Sequence, residues 1–582
     1  MRKKDWAVHM GDQAAQERIT SILGLHPVIS HLLVNRGVTT PEEARLHLEG
    51  SLDSLLDPFI MAGMREAVDR IVTAKERGEK IVIYGDYDAD GVTATALMLI
   101  FLRQTGFDAG YYIPERLTEG YGLNTAALDS IKASGAGLVI TVDNGVNALD
   151  AVAHASAMGL DVIVTDHHKP GDLLPCAVAV LNPNRRDCAY PCKGLAGVGV
   201  AFKLVTALRN ELHKRGAPKE GLPVLRRLLD LVVVGSIGDC APLMEENRLL
   251  ARYGLIELSA TERVGLSALR KKGGLNGGAV SAREVAFTLA PRLNAAGRLG
   301  KADAGLELLL TGDIREGERL ATALDDENRR RQDLQADTLE DALYLVEESL
   351  DPANDRAIVV GSERWSPGVA GLVASKLVEK FGLPSVVVCF KGDYGKGSAR
   401  SVPAFDITEA LGKVAAGLVK FGGHKMAAGF TIRRGEFDAF RESLLAVVAQ
   451  TLKPEDTRPK IMIDIETEPE LINKDLLTRI KVLEPFGEGN PAPVFMSRDV
   501  SFASSTVVGK DRNHTRLALP DGTCVMGFHM AERLGAVDAI GGRFDIVYTA
   551  EISVWRDTER VQFNLLDFRT SESRGDSRTA LL

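Results

Sequence analysis

Four short segments carry side chains suited to metal chemistry. They are Asp86, Asp88 and Asp90 in GDYDADG, Asp143 in VDNG, Asp166-His167-His168 in TDHH, and Asp239 in GDCAPL. If the chain stays extended past Tyr84, alternate residues share a face, so the first three carboxylates project together. Like charges that close repel, and either water on an exposed loop or a cation in a site must compensate them. Asp and His without a thiolate suit Mn²⁺ or Mg²⁺. Two such ions about 3.5–4 Å apart can activate water and steady both oxygens of a displacement at phosphorus. The donor set therefore points to hydrolysis of a phosphoester or phosphoanhydride.

The surrounding pattern explains how residues so distant in sequence can meet. Short apolar runs at 80–85, 109–114, 136–143, 160–166 and 177–182 alternate with helical stretches at 92–105, 124–134 and 146–158. That alternation predicts βαβ units on a buried parallel sheet. Sites in such sheets form at the carboxyl ends of the strands, where the acids and histidines are expected to converge. The segment 313–349, with both charge signs interspersed, reads as a connecting helix. A second α/β unit follows, with strands at 356–361 and 385–390 and a helix at 367–381. After Pro459, short alternating runs predict a small all-β barrel of the oligonucleotide/oligosaccharide-binding (OB) kind.

The 582 residues exceed one core. A net charge of −9 argues against a protein that simply coats phosphates, though not against a nuclease with local basic groups. No apolar run reaches the length of a membrane span, and the start lacks the apolar core of a secretory signal. A cytoplasmic location with free thiols is expected, Cys188 and Cys192 lacking a second pair for zinc.

The motifs GDYDADG, VDNG, TDHH and GDCAPL follow, in order, those of the DHH phosphoesterase superfamily. EGYGLN, PRLNAAGR, GSARS, KFGGHKMAAGF and LEPFGEGNPAPVF closely resemble the RecJ type of single-strand-specific exonuclease. The resemblance covers residues 50 to 570. It implies an α/β multidomain fold with a parallel-sheet DHH catalytic domain (49–312) after an N-terminal helical segment (1–48). A connecting helix (313–349) leads to a smaller α/β DHHA1 substrate-binding domain (350–455), an OB-fold barrel (456–570) and a tail (571–582). The implied activity is 5′-to-3′ degradation of single-stranded DNA with two divalent ions, Mn²⁺ or Mg²⁺.

Carried onto this chain, the resemblance makes Asp88, Asp90, Asp143, His167 and Asp239 metal ligands, with Asp143 bridging. His168 would face the scissile phosphate, Asp166 would orient a histidine, and Asp86 would be structural in preference to a further ligand. Tyr84 stands where many superfamily members have a histidine, which puts the coordination of one metal in question. Ser398 and Arg400, expected in a flexible glycine-flanked turn, would hold a terminal phosphate with Gly422, Gly423 and His424. Arg116, Arg292 and Arg298 would help, and Tyr121 and Leu123 would stack or wedge against bases. The implied partners are single-stranded DNA, single-strand-binding protein and a RecQ-type helicase, with the enzyme a monomer away from membranes. Two alternatives stand beside this reading. One is a DHH phosphatase acting on short oligonucleotides, which would not need a barrel. The other is an inactive strand-binding scaffold, which would have lost ligands.

Overall fold

The computed structural model describes all residues except 1–3, 116–118, 120–121, 300–302, 352–354, 536, 538, 556–557 and 572–582. The chain forms two compact units: Ala7–Gly297 with Lys301–Leu324 and Met462–Leu582, and Asp325–Ile461 with two short outlying segments.

The first unit is built on a five-stranded parallel sheet. Its strands are β1 (Lys80–Tyr84), β2 (Ala109–Tyr112), β3 (Ala136–Val142), β4 (Asp161–Thr165) and β5 (Ala179–Leu181), in the order β2-β1-β3-β4-β5. Alternation along each strand divides the side chains between two faces. Ile81, Ile83, Leu138, Ile140 and Ile163 pack on one side, Val82, Tyr84, Val139, Val162 and Val164 on the other. Helix α1 (Ala89–Gln104) is apolar on nearly every side and so lies at the centre, against α2 (Gly197–Lys214) and α3 (Leu229–Gly238).

The unit's other end is a seven-stranded, mostly antiparallel sheet drawn from residues 465–570. Three N-terminal helices, Gln13–Leu23, Pro27–Asn35 and Pro41–Glu49, do not stand apart from it. Ile19, Leu32 and Leu33 share one hydrophobic cluster with Phe495, Phe544 and Phe563. The third of these helices starts at the predicted signal, with Thr40 and Glu43 forming a reciprocal cap.

The second unit contains a five-stranded mixed sheet. In chain order the strands are β6 (Ile358–Ser362), β7 (Ser385–Lys391), β8 (Tyr394–Arg400), β9 (Leu418–His424) and β10 (Ala427–Arg433), in spatial order β9-β10-β8-β7-β6. Helix α4 (Pro367–Phe381) and the end of the long helix Ile314–Ser349 cover one face, and helix Phe437–Thr451 covers the other. Among the described residues no helix is long and apolar enough to cross a membrane.

Candidate metal centre

The chain does not stay extended through all three carboxylates of GDYDADG. Asp88 caps α1, its Oδ1 accepting from Asp90 N and Gly91 N at 3.0 Å each, so Asp90 already lies in the helix. Both oxygens of Asp90 accept from the first turn of α2, from Gly197 N (2.6 Å) and Val198 N (2.8 Å). A carboxylate there is favoured by the partial positive charge of a helix start. Asp143 follows β3 with φ +63°, a left-handed turn that swings it toward α1 and α2. Gly197 is required here: a Cβ would stand 2.7 Å from Asp143 Oδ1. Asp166, His167 and His168 follow β4. Asp239, expected with the other acids at strand ends, instead caps the C-terminus of α3.

These elements bring the donors into three overlapping groups. Asp143 lies with His167 and His168, Asp90 with His167 and Asp239, and Asp86 with Asp88 and Asp143, ligand atoms within 4.8 Å in each group. Asp86, expected to be structural, thus sits among the donors. His167 Nε2 stands 3.0 Å from Asp143 Oδ1, 3.7 Å from Asp239 Oδ2 and 3.9 Å from Asp90 Oδ2. It is buried and makes no hydrogen bond among the described residues.

The carboxylates around it repel one another. Burial, then the His168 charge, lowers His167 to about 4, so at neutral pH it is an uncharged ligand. Burial and Asp88 push Asp239 up to about 7. Burial, then Asp239 and Asp88, raises Asp90, and burial with the other four carboxylates raises Asp143. A divalent cation among these oxygens would reverse the repulsion and give the His167 nitrogen a partner. The acidic groups and His167 are therefore positioned to bind metal.

His168 is different. Burial lowers its pKa, but the hydrogen bond from Nδ1 to Asp166 Oδ1 (2.7 Å) and nearby carboxylates raise it to about 9. Asp166 is itself fixed by backbone donors, Val146 N to Oδ2 and His168 N to Oδ1. Sequence reasoning missed several residues that hold this arrangement. Asn184 and Asn182 donate to the backbone oxygens of His167 (2.6 Å) and His168 (2.8 Å). Asn294 accepts from Ala89 N (2.7 Å) at the head of α1. A Cβ on Gly297 would lie 2.3 Å from Tyr87 O. PRLNAAGR is therefore a brace for the GDYDADG loop as well as a source of arginines, and its Asn and Gly were the available signal.

Tyr84 points away from this cluster. Its hydroxyl donates to Gly122 O (3.0 Å) and accepts from Asn124 Nδ2 (3.1 Å), and its ring stacks on Tyr112. Leu123, expected as a wedge, is buried beside Tyr84. Arg116 and Tyr121 lie outside the described residues. Arg292 donates to Thr288 O (2.6 Å), and Arg298 groups with the second unit, donating to Gly368 O (3.5 Å).

In the second unit, Ser398 and Arg400 were expected in a flexible turn. They belong instead to β8, inside the sheet. Arg400 Nη1 bonds Ser398 Oγ (3.3 Å) and Ala399 O (2.8 Å). A Cβ on Gly371 of α4 would meet Arg400 Nη2 at 2.8 Å and Ser398 Oγ at 3.0 Å, so both side chains lie against the opening turns of that helix. Gly422, Gly423 and His424 are exposed on the edge strand β9. Gly423, at φ +154°, is demanded by its close crossing with Ala427 and Ala428.

Comparison with known proteins agrees with this architecture. Models of the DHH family N-terminal domain, the DHHA1 domain and the RecJ OB domain match residues 80–236, 354–450 and 463–567. The single-stranded-DNA-specific exonuclease RecJ of Bacillus subtilis is 40% identical over 576 residues, 98% of this chain and 71% of that protein. The RecJ of Escherichia coli is 36% identical over 81% of this chain and 83% of its own length. The crystal structure of RecJ in complex with Mn²⁺ from Thermus thermophilus superposes with a TM-score of 0.84 at 31% identity, covering 98% of this chain and 81% of that one. A Mg²⁺ complex from the same organism gives 0.78. The parallel-sheet core, the smaller α/β domain and the C-terminal OB-fold region all match. The chain belongs to the RecJ family.

Proposed function

We propose that this protein is a metal-dependent exonuclease that degrades single-stranded DNA from the 5′ end to nucleotides. The observation that carries the reading is the overlap of the three donor groups, with Asp143 common to two of them. In this reading Asp88, Asp90, Asp143, His167 and Asp239 hold two divalent ions, Asp143 is shared between them, and Asp86 adds a donor beside Asp88. When bound, the ions supply an activated water and neutralise charge developing on the phosphate.

The chain's own groups do the rest. His168, protonated at neutral pH and anchored through Nδ1 by Asp166, presents its other nitrogen as donor to the scissile phosphate or the departing oxygen. Asp166 fixes that ring's orientation. Arg400 and Ser398, set against the start of α4, hold a terminal 5′-phosphate, with Gly422, Gly423 and His424 along the edge strand. Arg116, Arg292 and Arg298 contact backbone phosphates, and Tyr121 stacks on a base. The barrel extends the strand-binding surface. Family membership supports a place in DNA recombination and repair, beside single-strand-binding protein and a helicase.

The test is degradation of a 3′-labelled, 5′-phosphorylated single strand with Mn²⁺. Progressive shortening that EDTA abolishes and a matched duplex escapes supports the reading. Loss of label as mononucleotide at the outset would reverse the polarity.

A further inference from the structure

Among the described residues the Asp239 carboxylate makes no recorded hydrogen bond, its one recorded contact being His167 Nε2 at 3.7 Å. Its side chain is also more exposed (30%) than those of Asp90 and Asp143. Asp90 is pinned by two backbone donors, and Asp143 follows a central strand. The position of Asp239 is therefore set by its backbone, at the end of α3 and the start of a tight turn. Cys240 has φ +59°, and Cys240 N and Ala241 N bond back to Ile237 O and Ser236 O.

What holds the far side of that turn comes from a segment far downstream in the chain. Leu243 N donates to Glu488 O (2.7 Å). Gly487 and Gly489 approach so closely that a Cβ on the first would meet Leu243 Cδ1 at 2.7 Å and on the second Pro242 Cβ at 3.1 Å. The loop bearing them is rigid. Asn490 Nδ2 bonds Leu483 O and Pro485 O, and Arg36 Nε bonds Asn490 Oδ1. Arg248, 1% exposed, donates to Val482 O, Leu483 O and Glu484 O, and also to His47 O. From the opposite side Pro242 abuts Gly194, where a Cβ would come within 2.6 Å.

We propose that the loop Leu483–Asn490, the LEPFGEGN segment within the OB region, is a positioning strut for the Asp239 carboxylate, acting through Leu243 and Pro242. It explains Gly487, which leaves room for Leu243; Gly489 does the same for Pro242 and also holds φ +72°. The inference rests on Asp239 being a metal ligand, as proposed above.

The test is Mn²⁺ affinity of the full-length protein, read from the free-Mn²⁺ electron paramagnetic resonance signal, for Gly487→Ala. The added methyl displaces Leu243 and should weaken Mn²⁺ binding about tenfold or more, with kcat at saturating Mn²⁺ within about twofold of the parent. Adding Leu243→Val, which removes a methylene where one was inserted, should restore affinity. Leu243→Ala, loosening the contact from the other side, should weaken Mn²⁺ in the same way and serves if Gly487→Ala does not fold. Asp239→Asn is the control. If it weakens Mn²⁺ while Gly487→Ala and Leu243→Ala do not, the strut is overturned. If it leaves Mn²⁺ binding unchanged, the ligand assignment fails instead.

Discussion

Replacing Asp143 by Asn should stabilise the metal-free protein while slowing its cleavage by orders of magnitude. The substitution suits the backbone, since Asn adopts φ +63° readily and Ala does not. In the metal-free chain, burial and the neighbouring carboxylates raise the Asp143 pKa. The folded value then exceeds the unfolded one, so protonation stabilises the fold at low pH. That contribution is lost as pH rises through the folded pKa. Asn has no proton to lose, so its stability advantage should widen as pH rises above the ordinary carboxylate range. The donor atoms lie within 4.8 Å of one another. At that separation two unit charges repel by about 3.5 kcal/mol at an effective dielectric constant near 20, which sets the scale of the gain. A doubly charged cation held by that carboxylate would be attracted more strongly than this, and losing about 3.5 kcal/mol of the attraction in the transition state slows cleavage by roughly 10²–10³. The assay pairs thermal unfolding in EDTA and in Mn²⁺ with cleavage of a labelled strand. A variant that melts earlier than the parent in EDTA at high pH, or that keeps the parent's Mn²⁺-induced stabilisation, refutes the charge-cluster argument.

Further consequences can be checked separately. Mn²⁺ affinity should rise with pH between about 6 and 8, because the ion must displace protons from carboxylates such as Asp239, raised to about 7, whereas His167 at about 4 is already neutral; a flat calorimetric profile contradicts this. Arg400→Ala should slow cleavage of 5′-phosphorylated ends by about 10–100-fold, the worth of one or two charge-assisted hydrogen bonds, and 5′-hydroxyl ends far less; equal losses remove its end-recognition role. Asn294→Ala should cost about 1 kcal/mol through the lost bond to Ala89 N and raise the Mn²⁺ concentration needed for activity; unchanged unfolding and metal dependence argue against the brace. Deleting the chain after Pro459 should leave it insoluble, since Leu32 and Leu33 would lose Phe495 and Phe544; a soluble, active truncation contradicts the shared core.

The catalytic sheet was legible because its strands are continuous apolar runs broken by acids, and burial on both faces demands such runs. Asp239 was harder to place. LLDLVVVGSIG is apolar but for Asp230 and Ser236, and such a run suits a buried helix as well as a strand; α3 is the helix. GSARS read as a turn because of its glycines. In the structure Gly397 faces the Phe430 ring and Gly395 faces Phe390, where any Cβ would collide, so glycine in this strand makes room for aromatic packing. The union of the N-terminal helices with the barrel was invisible, since no local pattern records which apolar faces meet between segments so far apart in the chain. The bracing roles of Asn294, Asn182 and Asn184 were hidden for the same reason.

The number and place of the bound ions decide whether Asp143 serves a shared-carboxylate centre. Anomalous scattering from crystals grown with Mn²⁺ should show two peaks about 3.5–4 Å apart with Asp143 between them, Asp90, His167 and Asp239 on one side and Asp86 and Asp88 on the other. A single peak, or peaks that Asp143 does not touch, would contradict the shared-carboxylate centre on which the proposed chemistry depends.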